Sequence, residues 1–442
     1  MSRPAPTEPS KSNSSNDSDS EVFDKHLGSF IHPKGPQLIE RTKPLYAWIT
    51  RRTALKTWPY TRVLESAPNP TTRLRSQNNA TVEGINFGSQ DYLGLSAHPA
   101  IHMAALDALR TFGPHTASSP ILQGNTEISR RLEESLSEFL KTEQVLLFPT
   151  GWAAGFGTIV GLVRHEDHVV IDRLAHACLV QGATAATRRV SFFRHNDTNS
   201  LRRRLQGIRA KDTENSILVV TEGLFSMDSD SPDIFTIQGI CREFDAVLLV
   251  DVAHDLGASG PNGTGQIGIQ KMLGEVDLVM GSFSKTFASN GGFLACHDHS
   301  VKQFVGFYGG PHVFSNALSP IQAAVANESL RVVRDGEGEL LRNQALRNIN
   351  RLRDSFKKLG LQCLGDPSNV VMVSVGDEAL AKLTSGFLEK NGLIANLVEF
   401  PAVAKGKARF RLQVMATHTP EQIDEAVEIF CASLNEAREK IS

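Results

Sequence analysis

A lysine in a hydroxyl-rich turn, Gly281-Ser282-Phe283-Ser284-Lys285-Thr286, and an aspartate 34 residues before it, Asp251, are the side chains whose setting points most directly to chemistry. Each lies just beyond a short run of apolar residues, Leu278-Val279-Met280 and Ala246-Val247-Leu248-Leu249-Val250. A partly desolvated lysine amine is a nucleophile able to condense with an aldehyde, and small hydroxyl residues just before it suit a phosphate. An acid ending the neighbouring run can face a cationic ring nitrogen. Taken singly, the lysine reads as a solvated loop residue and the aspartate as a helix cap. Together they form the pair that pyridoxal 5'-phosphate uses, because a protonated pyridine nitrogen turns the ring into an electron sink.

Two further runs end in residues that fit the same ligand. Val145-Leu146-Leu147-Phe148 leads into Pro149-Thr150-Gly151-Trp152-Ala153-Ala154-Gly155, a turn opening a small-residue helix whose first N–H groups can bind phosphate. Its spacing is neither that of a Walker loop nor that of a dinucleotide fingerprint. Val169-Val170-Ile171 is followed by Asp172-Arg173-Leu174-Ala175-His176, which supplies an imidazole able to stack on an aromatic ring, or equally a satisfied structural histidine.

These residues need a scaffold that gathers strand ends. The apolar runs above, with Ile217-Leu218-Val219-Val220, read as buried strands. Between them lie helical spacings such as Ile128, Leu132, Leu136 and Leu140. Alternating strands and helices predict an α/β fold with a mostly parallel central sheet covered by helices on both faces. Such sheets bind ligands beyond the carboxyl ends of their strands. After Pro320 the pattern becomes helical from Ile321 to about Leu359. Short strands follow around Val370-Val371-Met372-Val373 and Phe410-Arg411-Leu412, then a closing helix from about Glu421, which together predict a smaller C-terminal α/β domain. The expected division is a disordered tail over 1–40, rich in Ser, Asn, Asp, Pro and Lys, an N-terminal segment 41–95, a large domain 96–310 and a small domain 311–442.

The 442 residues are 40% hydrophobic and 21% charged, enough to bury a sizeable core. A net charge of -2, from 46 basic and 48 acidic residues, gives no sign of a nucleic-acid or membrane-surface partner. No apolar run reaches the roughly 18 residues of a membrane span. The five cysteines, Cys178, Cys241, Cys296, Cys363 and Cys431, are scattered without a metal-site spacing, which fits a reducing compartment and a cytoplasmic location.

The ordered motifs resemble the α-oxoamine synthase family of fold-type-I pyridoxal-phosphate enzymes, which includes 8-amino-7-oxononanoate synthase and serine palmitoyltransferase. Asp91-Tyr92-Leu93-Gly94-Leu95-Ser96-Ala97-His98-Pro99 is similar to its N-terminal signature. Thr221-Glu222-Gly223-Leu224-Phe225-Ser226-Met227-Asp228 is close to its T-E-G-x-F-S-M-D run, and Ser315-Asn316-Ala317-Leu318-Ser319-Pro320 is similar to a later stretch. The resemblance runs from about Phe87 to Thr419. It implies that Lys285 is the Schiff-base lysine and the acid/base for the substrate α-proton, that Asp251 pairs with the pyridinium, and that His176 stacks on the ring. It places His254 and Ser226 near the cofactor's phenolic oxygen, and Thr150, Gly151, Trp152 and Ser282 around its phosphate. Arg411 then binds the amino-acid carboxylate through a bidentate fork. The implied reaction is a decarboxylative condensation of a small amino acid with an acyl thioester, in a homodimer whose partner loop around Ser315 and Asn316 reaches the phosphate.

The chain departs from the family in places. Ser129 stands where a histidine is usual near the substrate pocket, Gln90 where several members have Asn, and residues 113–120 lack the usual glycine cluster. Asp255 follows His254 where Gly or Ser is commoner. Two other readings stay open: an aminotransferase, although many of these carry a tyrosine where this chain has His254, and a catalytically silent subunit, although that would be expected to lack Lys285.

Overall fold

The apolar runs become strands of one seven-stranded sheet in the computed structural model, which describes residues 19–77 and 79–441. In chain order these strands are β1 (Gln144–Phe148), β2 (His168–Asp172), β3 (Val190–Phe193), β4 (Ile217–Glu222), β5 (Val247–Asp251), β6 (Leu278–Ser282) and β7 (Gly292–Cys296). Their spatial order is β1-β7-β6-β5-β4-β2-β3. Strands β2 to β6 run parallel, and β7 lies antiparallel between β1 and β6. The mostly parallel α/β sheet expected from the sequence is present. Two of its strands, β3 and β7, were not anticipated.

Every residue of β4 and of β6 is buried, as expected of strands covered on both faces. Side chains alternate between those faces. Val219, Leu248, Val250 and Val279 enter one hydrophobic cluster, whereas Leu218, Val220, Leu249, Leu278 and Met280 enter the other with Ala154, Cys178 and Leu179. Continuing the alternation by two residues carries Glu222, Asp251 and Ser282 to the second face. That face is covered by the helices Gly151–Leu162 and Ala177–Ala186. The strand pattern alone therefore gathers the acids, the hydroxyl and the two helix starts.

Beyond Pro320 the expected continuous helix is interrupted. It forms Pro320–Arg334 and Gly336–Lys358, separated by Asp335, whose carboxylate accepts the N–H groups of Glu337 and Gly338 at 2.9 and 3.2 Å and caps the second helix. An antiparallel sheet comes next, with Val370–Gly376 paired to Ala408–Gln413, and the chain closes on the helix Pro420–Ile441. The strands Thr71–Arg75 and Thr81–Asn86 pair with each other, and the second pairs with Leu393–Ile394, so the N-terminal segment is built onto the C-terminal part. One hydrophobic cluster runs through both, from Phe87 and Leu93 to Phe410 and Phe430.

The tail expected over residues 1–40 is docked in its later portion. Val22, Leu27 and Phe30 pack with Trp48, Trp58 and Tyr60. The buried ammonium of Lys382 donates to the carbonyls of Phe23 and Lys25 at 2.6 and 2.7 Å. The few apolar residues in this polar stretch find an aromatic pocket, and that outweighs its composition. Residues 1–18 lie outside the described ones.

Candidate active site

At the carboxyl ends of the strands, register sets the neighbours. Glu222 pairs across with Asp251, Asp251 with Met280, and Ser282 with Gly292, which in turn pairs with Phe148. A cavity of about 280 Å³ opens there. Thr150, Gly151, Trp152, His176, Asp251, His254, Ser282 and Lys285, all singled out from the sequence, line it together with Cys178, Glu222, Ser284 and Asn290, which were not.

One end of the cavity is a cradle for an anion. Thr150 caps the helix Gly151–Leu162 by accepting the N–H of Ala153 at 3.0 Å, which leaves the N–H groups of Gly151 and Trp152 ahead of the first helical bond. Glycine is required at 151 because a Cβ there would come within 2.4 Å of the Ser282 side chain. The Ser282 and Ser284 hydroxyls sit 2.7 Å apart. Helix start and hydroxyls thus converge from two elements.

The other end carries the titratable groups. Burial lowers the pKa of Lys285, against the pull of Asp251 and Glu222 upward, so its ammonium gives up a proton more readily than a surface lysine. Burial pushes Asp251 up, while Lys285 and His176 hold it down, and its Oδ1 accepts the Ala253 N–H at 2.9 Å. Glu222 is raised well above the usual carboxylate range by burial and then by Asp251 beside it. Two acids packed side by side facing one lysine favour a cation between them.

The two imidazoles are both held at Nδ1. Tyr92, in the turn that Asp91 organises by accepting the N–H groups of Leu95 and Ser96, places its hydroxyl 2.8 Å from His254 Nδ1. Burial lowers His254 well below the ordinary imidazole value and raises the Tyr92 phenol, so both partners are held in their neutral forms. His176 is lowered chiefly by burial, and its backbone N–H donates to the Glu222 carboxyl at 2.5 Å. Its ring meets Trp152 edge to face, with centroids 6.1 Å apart.

Other expected residues lie outside the cavity wall. Arg411 is on the strand Ala408–Gln413 with its Nε buried and unpaired, and its charge acts on Lys285, His254 and His176. Ser129 does not reach the cavity. It sits in the first turn of the helix Glu127–Leu140, where its N–H donates to Thr126 Oγ1 and its hydroxyl lies 3.0 Å from the same oxygen, so it serves the cap. Ser226 is not on the wall either. Its turn is tied down by Arg409, which donates to the Met227 carbonyl and the Asp228 carboxylate, and by His195, clamped between Asp172 and Asp230 at 2.9 Å each. Asp255 accepts the Gln266 N–H at 2.6 Å and organises that turn rather than the cavity.

This architecture has relatives. Residues 82–430 match the family model for aminotransferase class I and II. An 8-amino-7-oxononanoate synthase from Exiguobacterium sibiricum is 36% identical over 356 residues, covering 80% of this chain and 90% of that one. A serine palmitoyltransferase from Sphingobacterium spiritivorum is 34% identical, covering 78% and 85%. The chain belongs to the α-oxoamine synthase family. A solved serine palmitoyltransferase from Sphingomonas wittichii superposes with a TM-score of 0.83 at 28% identity, over 91% of this chain and 99% of that one. A further solved serine palmitoyltransferase, described as holding PLP, has a TM-score of 0.84 at 28% identity.

The residues fit that cofactor. A phosphate has the Gly151 and Trp152 N–H groups and the Ser282 and Ser284 hydroxyls, an aldehyde has the amine of Lys285, and a protonated ring nitrogen has Asp251. Among the described residues there is no cluster of metal-binding side chains, and no helix is long and apolar enough to cross a membrane.

Proposed function

We infer that this α-oxoamine synthase uses pyridoxal 5'-phosphate to condense an amino acid with an acyl thioester, releasing carbon dioxide, free thiol and an α-amino ketone. The observation that carries this reading is the meeting of Lys285 and Asp251, from adjacent parallel strands, beside the Gly151 and Ser282 cradle in one cavity.

When bound, the cofactor supplies an electron sink for the carbanion formed at the amino-acid α-carbon. The chain supplies the rest. Gly151, Trp152, Thr150 and Ser282 would hold the phosphate. Asp251 would keep the ring nitrogen protonated, because a cation facing its carboxyl relieves the burial that otherwise raises it. His176 would cover the ring, and His254 would lie toward its phenolic oxygen. The Lys285 amine, biased to the neutral form by burial, takes the α-proton at Nζ and returns a proton after the new bond forms. Arg411, buried with an unused Nε–H, holds the substrate carboxylate.

An aminotransferase would share the lysine and the acid. The position three residues after Asp251 is His254, already hydrogen-bonded to Tyr92, which supports the synthase. We further propose a cytoplasmic homodimer. Phe314, which precedes Ser315 and Asn316, is 90% exposed, and Trp152 at the cavity is 44% exposed, both apolar surfaces that a second copy would cover. The choice between acyl-coenzyme A and an acyl carrier protein as donor belongs to the same experiment. Small amino acids are paired with thioesters of graded chain length on either carrier, and thiol and carbon dioxide release are followed. Stoichiometric release of both supports the synthase, and amine transfer to a keto acid without thiol release refutes it.

A further inference from the structure

We propose that Cys178 is a positioning residue: its thiol and its own backbone N–H together occupy the Nδ1 lone pair of His176, fixing that imidazole as the neutral form with its proton on Nε2. The Cys178 Sγ lies 3.0 Å from His176 Nδ1, and the Cys178 N–H donates to the same nitrogen at 3.3 Å. A nitrogen that accepts from two donors cannot itself carry a proton. Converting this ring to imidazolium would point an Nδ1–H at both of them.

The arrangement is built from several elements. His176 caps the helix Ala177–Ala186, so its ring folds back over the first turn, where Cys178 sits. The thiol packs against Gly155 of the facing helix, so closely that a Cβ there would lie 2.8 Å from Sγ. The His176 backbone is pinned separately by Glu222. Burial raises the Cys178 pKa, with Asp251 and Glu222 adding to the effect, so the sulfur keeps its proton and remains a donor. Of the charged groups facing the ring, Asp251 favours protonation, whereas Lys285 and Arg411 oppose it.

These contacts leave His176 a flat, uncharged ring whose remaining polar atom, Nε2, is an N–H donor, set in the cavity with Lys285 and within reach of the Arg411 charge beyond its wall. A cationic ring would repel both, and would repel a protonated pyridine as well. The use made of that ring rests on the function proposed above, but the tautomer is a property of the cofactor-free chain and can be read without it.

The test is ring ¹⁵N spectroscopy on cofactor-free, full-length protein labelled at histidine, with a His176→Gln variant identifying the resonances. Wild-type protein and Cys178→Ser are expected to show His176 Nδ1 as an unprotonated acceptor and Nε2 as protonated through neutral pH. Cys178→Ala, left with only the longer N–H contact, is expected to shift both resonances toward each other and to bind pyridoxal phosphate about three- to tenfold more weakly, with Ser restoring both. A protonated Nδ1 in the wild type overturns the proposal even if no variant folds, as does an Ala variant unchanged in shift and affinity. Wild-type protein with the expected shifts that binds no pyridoxal phosphate keeps this proposal and sinks the functional one.

Discussion

The Glu222 carboxyl accepts the backbone N–H of His176 at 2.5 Å, joining the end of β4 to the residue that begins the helix Ala177–Ala186. This places the imidazole over the cavity without using any ring atom. Glu222→Gln keeps an oxygen for that N–H and is expected to leave stability and cofactor affinity nearly unchanged. Glu222→Ala leaves a buried donor unpaired and should cost about 1–3 kcal/mol. Urea denaturation of the two variants checks the difference, and equal stabilities would contradict it.

Tyr92→Phe removes the hydroxyl partner of His254 Nδ1 while keeping the ring that fills the core. A buried polar group left without its partner costs about 1–3 kcal/mol. Because His254 then loses the contact that orients it, kcat should fall about tenfold or more, together with a drop of a few degrees in the melting temperature. Steady-state kinetics and calorimetry on the same preparation decide it.

His195 links pH to the turn that carries Ser226. Burial opposes its charge, but the hydrogen bonds and charges of Asp172 and Asp230 prevail and push its pKa up to about 10. A folded pKa above the unfolded value means that the contribution is complete below about pH 6.5 and is lost as pH rises through about 10. The melting temperature should therefore decline across that window, and His195→Gln should flatten this part of the profile. An identical slope in the variant would contradict the clamp.

Arg411→Lys keeps a charge but loses the planar fork that binds a carboxylate through two bonds. The KM for the amino acid should rise about tenfold or more, with a smaller effect on the KM of the acyl thioester. Equal changes in both would remove Arg411 from the amino-acid site.

The sequence made the core of the site readable because branched apolar runs announce buried strands, and Asp251 and Lys285 stand just after two of them. The strand β7 is hard to read because Gly292-Phe293-Leu294-Ala295-Cys296 is short and follows β6 after the loop over residues 283–291 that carries Lys285. Glu222 lies inside a recognised motif, yet its contact with His176 depends on the β2 to β4 register, which no local pattern encodes. Cys178 could have been found from its place two residues beyond His176, in the first turn that His176 caps. Motif position puts Ser129 in the substrate pocket, whereas its hydroxyl belongs to the Thr126 cap. The break at Asp335 shows how a capping aspartate divides a helical periodicity that looks unbroken.

The central claim is that the Lys285 amine carries the reaction in the cavity it shares with Asp251. Its most direct test is turnover by Lys285→Ala, measured as thiol and carbon dioxide release from an amino acid and an acyl thioester, alongside pyridoxal-phosphate binding by equilibrium dialysis. The account predicts a folded protein that still binds the cofactor through the Gly151 and Ser282 cradle and releases neither product above background. Substantial turnover in that variant would contradict it.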